Sequence, residues 1–325
     1  CSEMDSPHYP SDIDDYALRF FGPERYHSDE FQSEAYLFIP FDDRYYEDMS
    51  EVVGKRFGNW ENQEIDPDTR EPSELARAMM DYLGCECEYF PSMRDDDPLM
   101  SAYGYARRLG VREGYVPVLV SVDDILWECL VLNSDPDSDG EADYTFDPEK
   151  VAQYRRNILA APTTDGRCIL DSMVGQRRAE VEDDELDWDD EIVGNMEGGE
   201  GRDRLSSYWN YETNMTHPTI LAKIPVDEPW KVFAWLPFGG WNECPDTQTL
   251  MAVSKYWYER FGAVPAAITH DELEYILPEP IDDGSAIDTA IDQYGFCPDS
   301  DQNHETVGEL ADELRQSTVW YMWWD

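Results

Sequence analysis

Positive charge is what this 325-residue chain has least of: 24 Lys and Arg stand against 72 Asp and Glu, a formal net charge of −48 and a pI near 4.1. Only five of the bases are lysines: Lys55, Lys150, Lys223, Lys231 and Lys255. That deficit disfavours direct contact with nucleic acid or an anionic membrane surface and favours a basic protein partner. A proteome acidic throughout would give the same count. Nowhere does the sequence approach the roughly 20 consecutive apolar residues of a membrane span. It does not open on a basic segment followed by an apolar run. HExxH and paired CxxC are missing, and the glycines of Gly198-Gly199-Glu200-Gly201 follow acids that would repel phosphate. We therefore expect no metal and no cofactor. Seven cysteines in a chain this long are too few for a disulfide framework.

Against these absences stand 11 Trp, 20 Tyr and 12 Phe, large side chains that can build a core despite the charge. Periodicity predicts helices over about 11–21, 44–57, 73–83, 99–109, 123–130, 148–159, 246–261, 285–293 and 306–315, and a further helix capped by Asp227. Strands are expected at 36–39, 85–90, 116–122, 219–226, 263–269, 272–277 and 318–324. The class is α+β: a mixed sheet covered by helices, on one side in the simplest reading. Val120-Ser121-Val122-Asp123 and Ile224-Pro225-Val226-Asp227 both lead into a segment with an early Trp, so two related α+β lobes are possible. The expected division is an N-terminal α+β region at 1–95, a lobe at 96–179, an acidic linker or loop at 180–204 and a C-terminal α+β domain at 205–325. Residues 180–200 hold eleven acids and no base, which reads as solvated loop, with docking through Trp188, Asp189 and Asp190 as the sharper alternative.

Three short segments carry the most information: Gly239-Gly240-Trp241-Asn242-Glu243-Cys244-Pro245, Phe296-Cys297-Pro298-Asp299 and Val319-Trp320-Tyr321-Met322-Trp323-Trp324-Asp325. Together they resemble a bacterial family with no assigned activity, domain-of-unknown-function family 4253, over about Thr219 to Asp325. Met322 stands where the family pattern implies Phe. The resemblance implies a kind of domain and transfers no functional residue.

Candidate sites follow from residue type. The glycine corner sets Trp241, Asn242 and Glu243 at a helix start, which could bind an anionic group or simply turn the chain. Cys244 and Cys297 each precede a proline, and His270-Asp271 on a hairpin turn supplies the nearest base, so a Cys–His–Asp hydrolase is conceivable; in an exported chain the same two thiols would be the pair to form a disulfide. Cys85 and Cys87 should share one face of a strand as buried free thiols. Asp135 to Asp143 resembles a calcium loop but has Phe146 where the twelfth-position Glu belongs. Alternation in the terminal strand would put Trp320, Met322 and Trp324 on one face and Tyr321 and Trp323 on the other, in a central or nearly central strand, with an aromatic binding patch as the sharper alternative. Cys1 at the start fits a lipidated mature terminus or a truncated chain. The expected compartment is the cytoplasm, with a lipid-anchored extracytoplasmic form as alternative. The preferred function is a non-catalytic interaction module for a basic partner, either an immunity-type inhibitor or a nucleic-acid mimic; the alternative is the Cys/His hydrolase.

Overall fold

The computed structural model describes residues 64–138, 144–299 and 304–325; the elements expected at 11–21, 36–39 and 44–57 lie outside them. Six strands make one mixed sheet in the order β1 (Glu86–Phe90), β5 (Thr219–Ile224), β2 (Val116–Ser121), β6 (Val264–Ile268), β7 (Glu272–Ile276), β8 (Val319–Trp323). All neighbours are antiparallel except β2 and β6. The sheet draws strands from both sides of the acidic 180–204 segment. Two-residue strands β3 (Trp209–Asn210) and β4 (Met215–Thr216) form a separate small hairpin.

Helix boundaries follow the side chains that satisfy their free N–H groups. Ser73 accepts from Ala76 N at the start of α1 (Glu74–Leu83), and Gly84 ends it at φ +59°. Asp123 accepts from Leu126 N to open α3 (Asp124–Ser134). Asp246 does the same for α6 (Thr247–Phe261) and Thr306 for α8 (Val307–Leu314). Between these lie α2 (Asp97–Glu113), α4 (Pro148–Ala160), α5 (Gly166–Asp183) and α7 (Asp283–Phe296).

Asp227 does not cap a helix. The segment after it is a short 3-10 turn, Pro229–Ala234, whose first residue follows Glu228 without a side-chain cap, and Asp227 instead bonds Lys231. Pro229 so soon after the strand leaves no room for the Asp–helix pattern that follows β2. Helix α5 was not expected. Its buried residues are only Gly166, Leu170 and Val181, too thin a stripe to register as amphipathic. Gly166 is required there, since a Cβ would sit 2.3 Å from the Ala252 carbonyl oxygen on α6.

One face of the sheet carries the larger core. Trp257 of α6 sits at its centre, edge-on to Phe296 at 5.0 Å and to Tyr275 and Trp320 at 5.7 Å. The other face is covered too, contrary to the one-sided expectation: Phe90, Leu119, Leu221 and Ala266 pack with Leu99, Ala102, Tyr103 and Ala106 of α2 and with Leu205 and Tyr208. Strand β8 alternates as expected, with Trp320, Met322 and Trp324 buried and Tyr321 and Trp323 half-buried. Among the described residues it is an edge strand rather than a central one, pairing only with β7. One face is buried in the core and the other is half-buried, which explains how so apolar a sequence can stand at an edge. Among the described residues, no helix is long and apolar enough to cross a membrane.

Candidate functional site

The parallel pair β2 and β6 leads two residues on into Asp123 and His270, beside the starts of β5 and β7 and the end of β8. His270 lies between two carboxylates, Nδ1 3.3 Å from Asp123 and Nε2 3.4 Å from Asp271. The Asp123 bond and the neighbouring charges outweigh burial and raise the His270 pKa above its usual 6.5. Asp123 is held below the usual carboxylate range: burial opposes its charge, but His270 and the Leu126 N–H favour it more. Asp271 is fixed from several sides, accepting from Thr269 Oγ1 at 2.8 Å and Trp323 Nε1 at 3.0 Å.

A cleft of about 630 Å³ opens beside this group, between β7–β8 and residues 202–217. Its carboxylates are Asp271, Glu272 and Glu212; its rings are Trp209, Tyr211, Tyr321 and Trp323; Arg202, His217, Asn210, Ser206 and Ser207 complete the polar lining. Tyr211 is 73% exposed at the rim. Burial, with Asp271 and Glu274 adding repulsion, raises Glu272 to about 7 even though the Tyr321 hydroxyl donates to it at 2.5 Å. Arg202 places its guanidinium carbon 5.0 Å from the centre of the Tyr321 ring while bonding Glu313. Burial lowers His217 below its usual value. Under the cleft, Glu274 is sealed: the N–H and hydroxyl groups of Ser206 and Ser207 all donate to it, at 2.6–3.1 Å.

The three signature segments meet elsewhere, around the chain's last residues. Cys297 donates its S–H to the Trp323 carbonyl at 3.0 Å. Asn242 Nδ2 donates to the Asp325 carbonyl at 2.9 Å, and Asp325 N to Asp299 at 3.0 Å. Trp324 packs on Phe296 and Phe238. Gly239 is confined by the corner, where a Cβ would meet the Pro245 carbonyl oxygen at 2.0 Å. These residues hold the end of β8, and with it Tyr321 and Trp323, against the sheet.

The residues singled out from sequence are thus distributed over several places. Asp271 lines the cleft and His270 adjoins it. Cys244 and Cys297 are thiols rather than a disulfide, 3% and 1% exposed, and burial pushes the Cys244 thiol up. His270 turns both ring nitrogens to carboxylates rather than to either thiol. Trp241 donates its Nε1 to the Phe238 carbonyl and Glu243 pairs with Arg177. Trp188 stacks on Arg178 at 4.2 Å in a short π-helical turn, where Asp187 caps the N–H groups of Asp189 and Asp190. Asp135 and Asp137 both take the Lys150 ammonium. The carboxylates of Asp95, Asp96 and Asp97 cluster, and Asp96 is engaged by Arg204 and Tyr208.

Sequence reasoning did not single out Glu272. Its signal was the alternation Glu272-Leu273-Glu274-Tyr275 on a strand, with acids on one face. The position of residues 202–217 over that face had no local signal.

Comparison with known proteins adds one match. Residues 220–325, the C-terminal third, match the family described as a domain of unknown function (DUF4253). No curated protein and no solved structure matches the chain. The matched portion supplies Asp271, Glu272, Tyr321 and Trp323, whereas Arg202, Trp209, Tyr211, Glu212 and His217 precede it. The cleft therefore joins a wall of the family domain to a wall contributed by the preceding chain.

Proposed function

We propose that this protein is a non-catalytic interaction module for a basic partner, and that the cleft receives a lysine or arginine side chain of that partner. The observation that carries the reading is the make-up of the cleft: three carboxylates interleaved with four aromatic rings. Ring faces attract cations and carboxylates pair with them, and both effects grow when water is displaced. Arg202, already over Tyr321, supports the suitability of that ring for a guanidinium. The net charge of −48 would steer such a partner inward. Of the two forms that acidity permits, a recessed cleft for one side chain suits an immunity-type inhibitor. A nucleic-acid mimic would recognise its target with an extended array of carboxylates.

The Cys/His hydrolase draws less support, because both thiols are buried and His270 is committed to Asp123 and Asp271. Glu272 has the proton affinity of a general acid, but the neighbouring hydroxyls of Ser206 and Ser207 are spent on Glu274.

Trp209 and Trp323 provide the readout. An acetylated Gly-Arg-Gly amide should change tryptophan fluorescence saturably, and the citrulline peptide, which has the same shape and no charge, should not. Asp271→Asn should weaken binding about tenfold, the loss of one charge-assisted contact of 1.5 kcal/mol or so. Equal response to arginine and citrulline, or an unchanged Asp271→Asn titration, would overturn the reading.

A further inference from the structure

We propose that Cys85 and Cys87 form a two-thiolate binding site for monovalent copper on the edge strand β1. The site is independent of the cleft. Cys85 immediately precedes β1 and Cys87 lies two residues further on, so both side chains leave the same face of the extended chain. Their sulfurs are 3.9 Å apart. Both are partly exposed and pack beside the larger core, and among the described residues β1 pairs only with β5.

The separation selects the coordination. With metal–sulfur bonds of about 2.3 Å, two sulfurs 3.9 Å apart subtend about 116° at the metal. A linear ion would hold them about 4.6 Å apart. The separation fits trigonal coordination, with one position left for a solvent or exogenous thiol ligand. Among the described residues, the only group of three or more potential ligands close enough together to share an ion is the Asp95–Asp97 cluster, so the described residues supply two ligands here. Zinc sites close with four ligands. Monovalent copper is satisfied by two or three, and soft thiolates select it.

Charge also suits a cation there. Two thiolates and one monovalent ion leave one negative charge, and Arg155 stands beside the site to offset it. Its guanidinium donates to the Tyr82 and Leu83 carbonyls at 2.7 and 3.2 Å, at the end of α1 just before Cys85. Binding joins one copper(I) ion to two sulfurs as thiolates, their thiol protons leaving to solvent; no electron is transferred.

The test uses the full chain, reduced and free of oxygen, titrated into a coloured copper(I)–bicinchoninate complex. Wild type should withdraw one equivalent and develop sulfur-to-copper charge-transfer absorption in the ultraviolet. Cys85→Ser and Cys87→Ser should each weaken retention at least tenfold, whereas Cys168→Ser, an exposed thiol, should not. A second measurement needs no variant: alkylation of wild type with and without copper(I), read by peptide mass spectrometry, should show protection of Cys85 and Cys87 together. Failure of wild type to withdraw copper, full retention by either β1 variant, or protection confined to other cysteines would overturn the proposal.

Discussion

Glu272 and Glu274 stand two residues apart on β7, yet the start and the middle of this short strand hold a carboxylate in opposite ways. Glu274 is fully buried and accepts from four donor groups of Ser206 and Ser207. Glu272 is half-buried at the cleft and accepts from the Tyr321 hydroxyl. Both are pushed up by burial, but only at Glu274 do the donors saturate the oxygens. The contrast separates structure from readiness to bind. A saturated carboxylate pins residues 206–207 to the sheet and so builds one wall of the cleft. An undersupplied one keeps the capacity to accept a cation.

The largest effect should come from the sealed position. Glu274→Ala leaves buried N–H and O–H groups without an acceptor, each worth about 1–3 kcal/mol when stranded. A loss of about 3 kcal/mol or more in unfolding free energy is expected in denaturant melts. A loss below about 1 kcal/mol would mean that Ser206 and Ser207 find other acceptors, and the comparison would fail.

The open position should respond with the opposite sign. The native Glu272 pKa of about 7 lies above its usual 4.5, so the folded state binds more protons than the unfolded state between those values. Stability from this group is fully present below pH 4.5 and is lost as pH rises to about 7. At about 1.4 kcal/mol per unit the upper bound is about 3 kcal/mol. His270, also raised, adds loss in the same direction from pH 6.5 upward through its native value. Glu272→Gln should therefore match wild type near pH 4.5 and be more stable than wild type at pH 8. Denaturant melts at the two values decide it; a variant equally destabilised at both would place Glu272 with Glu274.

Much of this frame was legible from sequence because it rests on short-range chemistry. Ser73, Asp123 and Asp246 announced their helices, and the glycines after α1 and α6 closed theirs at positive φ. The alternation of Trp320, Tyr321, Met322, Trp323 and Trp324 assigned each ring to its face. What escaped depends on distant partners. Helix α5 is made stable by α6 and α7 packing on it, not by a stripe of its own. Edge or centre for β8 depends on whether another segment pairs beyond it. His270 and Asp271 were visible as a turn, but their link to Asp123 joins residues about 150 positions apart in the chain. Glu272 acquires its character from residues 206–217 folding over the strand, and nothing in Glu272-Leu273-Glu274 encodes that.

The smallest expected effect isolates the bond that Glu272 receives from Tyr321. Tyr321→Phe keeps the ring that lines the cleft and removes the hydroxyl donor at 2.5 Å. That bond favours the charged carboxylate, so its loss should move the Glu272 titration above about 7 while changing stability at low pH by only about 0.5–1.5 kcal/mol. An arginine peptide binds the ionised form, so its affinity in wild type should rise between pH 5 and 8, with the steepest part near 7. In the variant that rise should be displaced to higher pH. The surrounding charges of Arg202, Glu212, Asp271 and Glu274 and the nearby His217 and His270 are the same in both proteins, so the displacement reports the hydroxyl. Binding curves that rise at the same pH in both would show that Tyr321 shapes the cleft without tuning its charge, and the distinction between the two positions on β7 would then rest on burial alone.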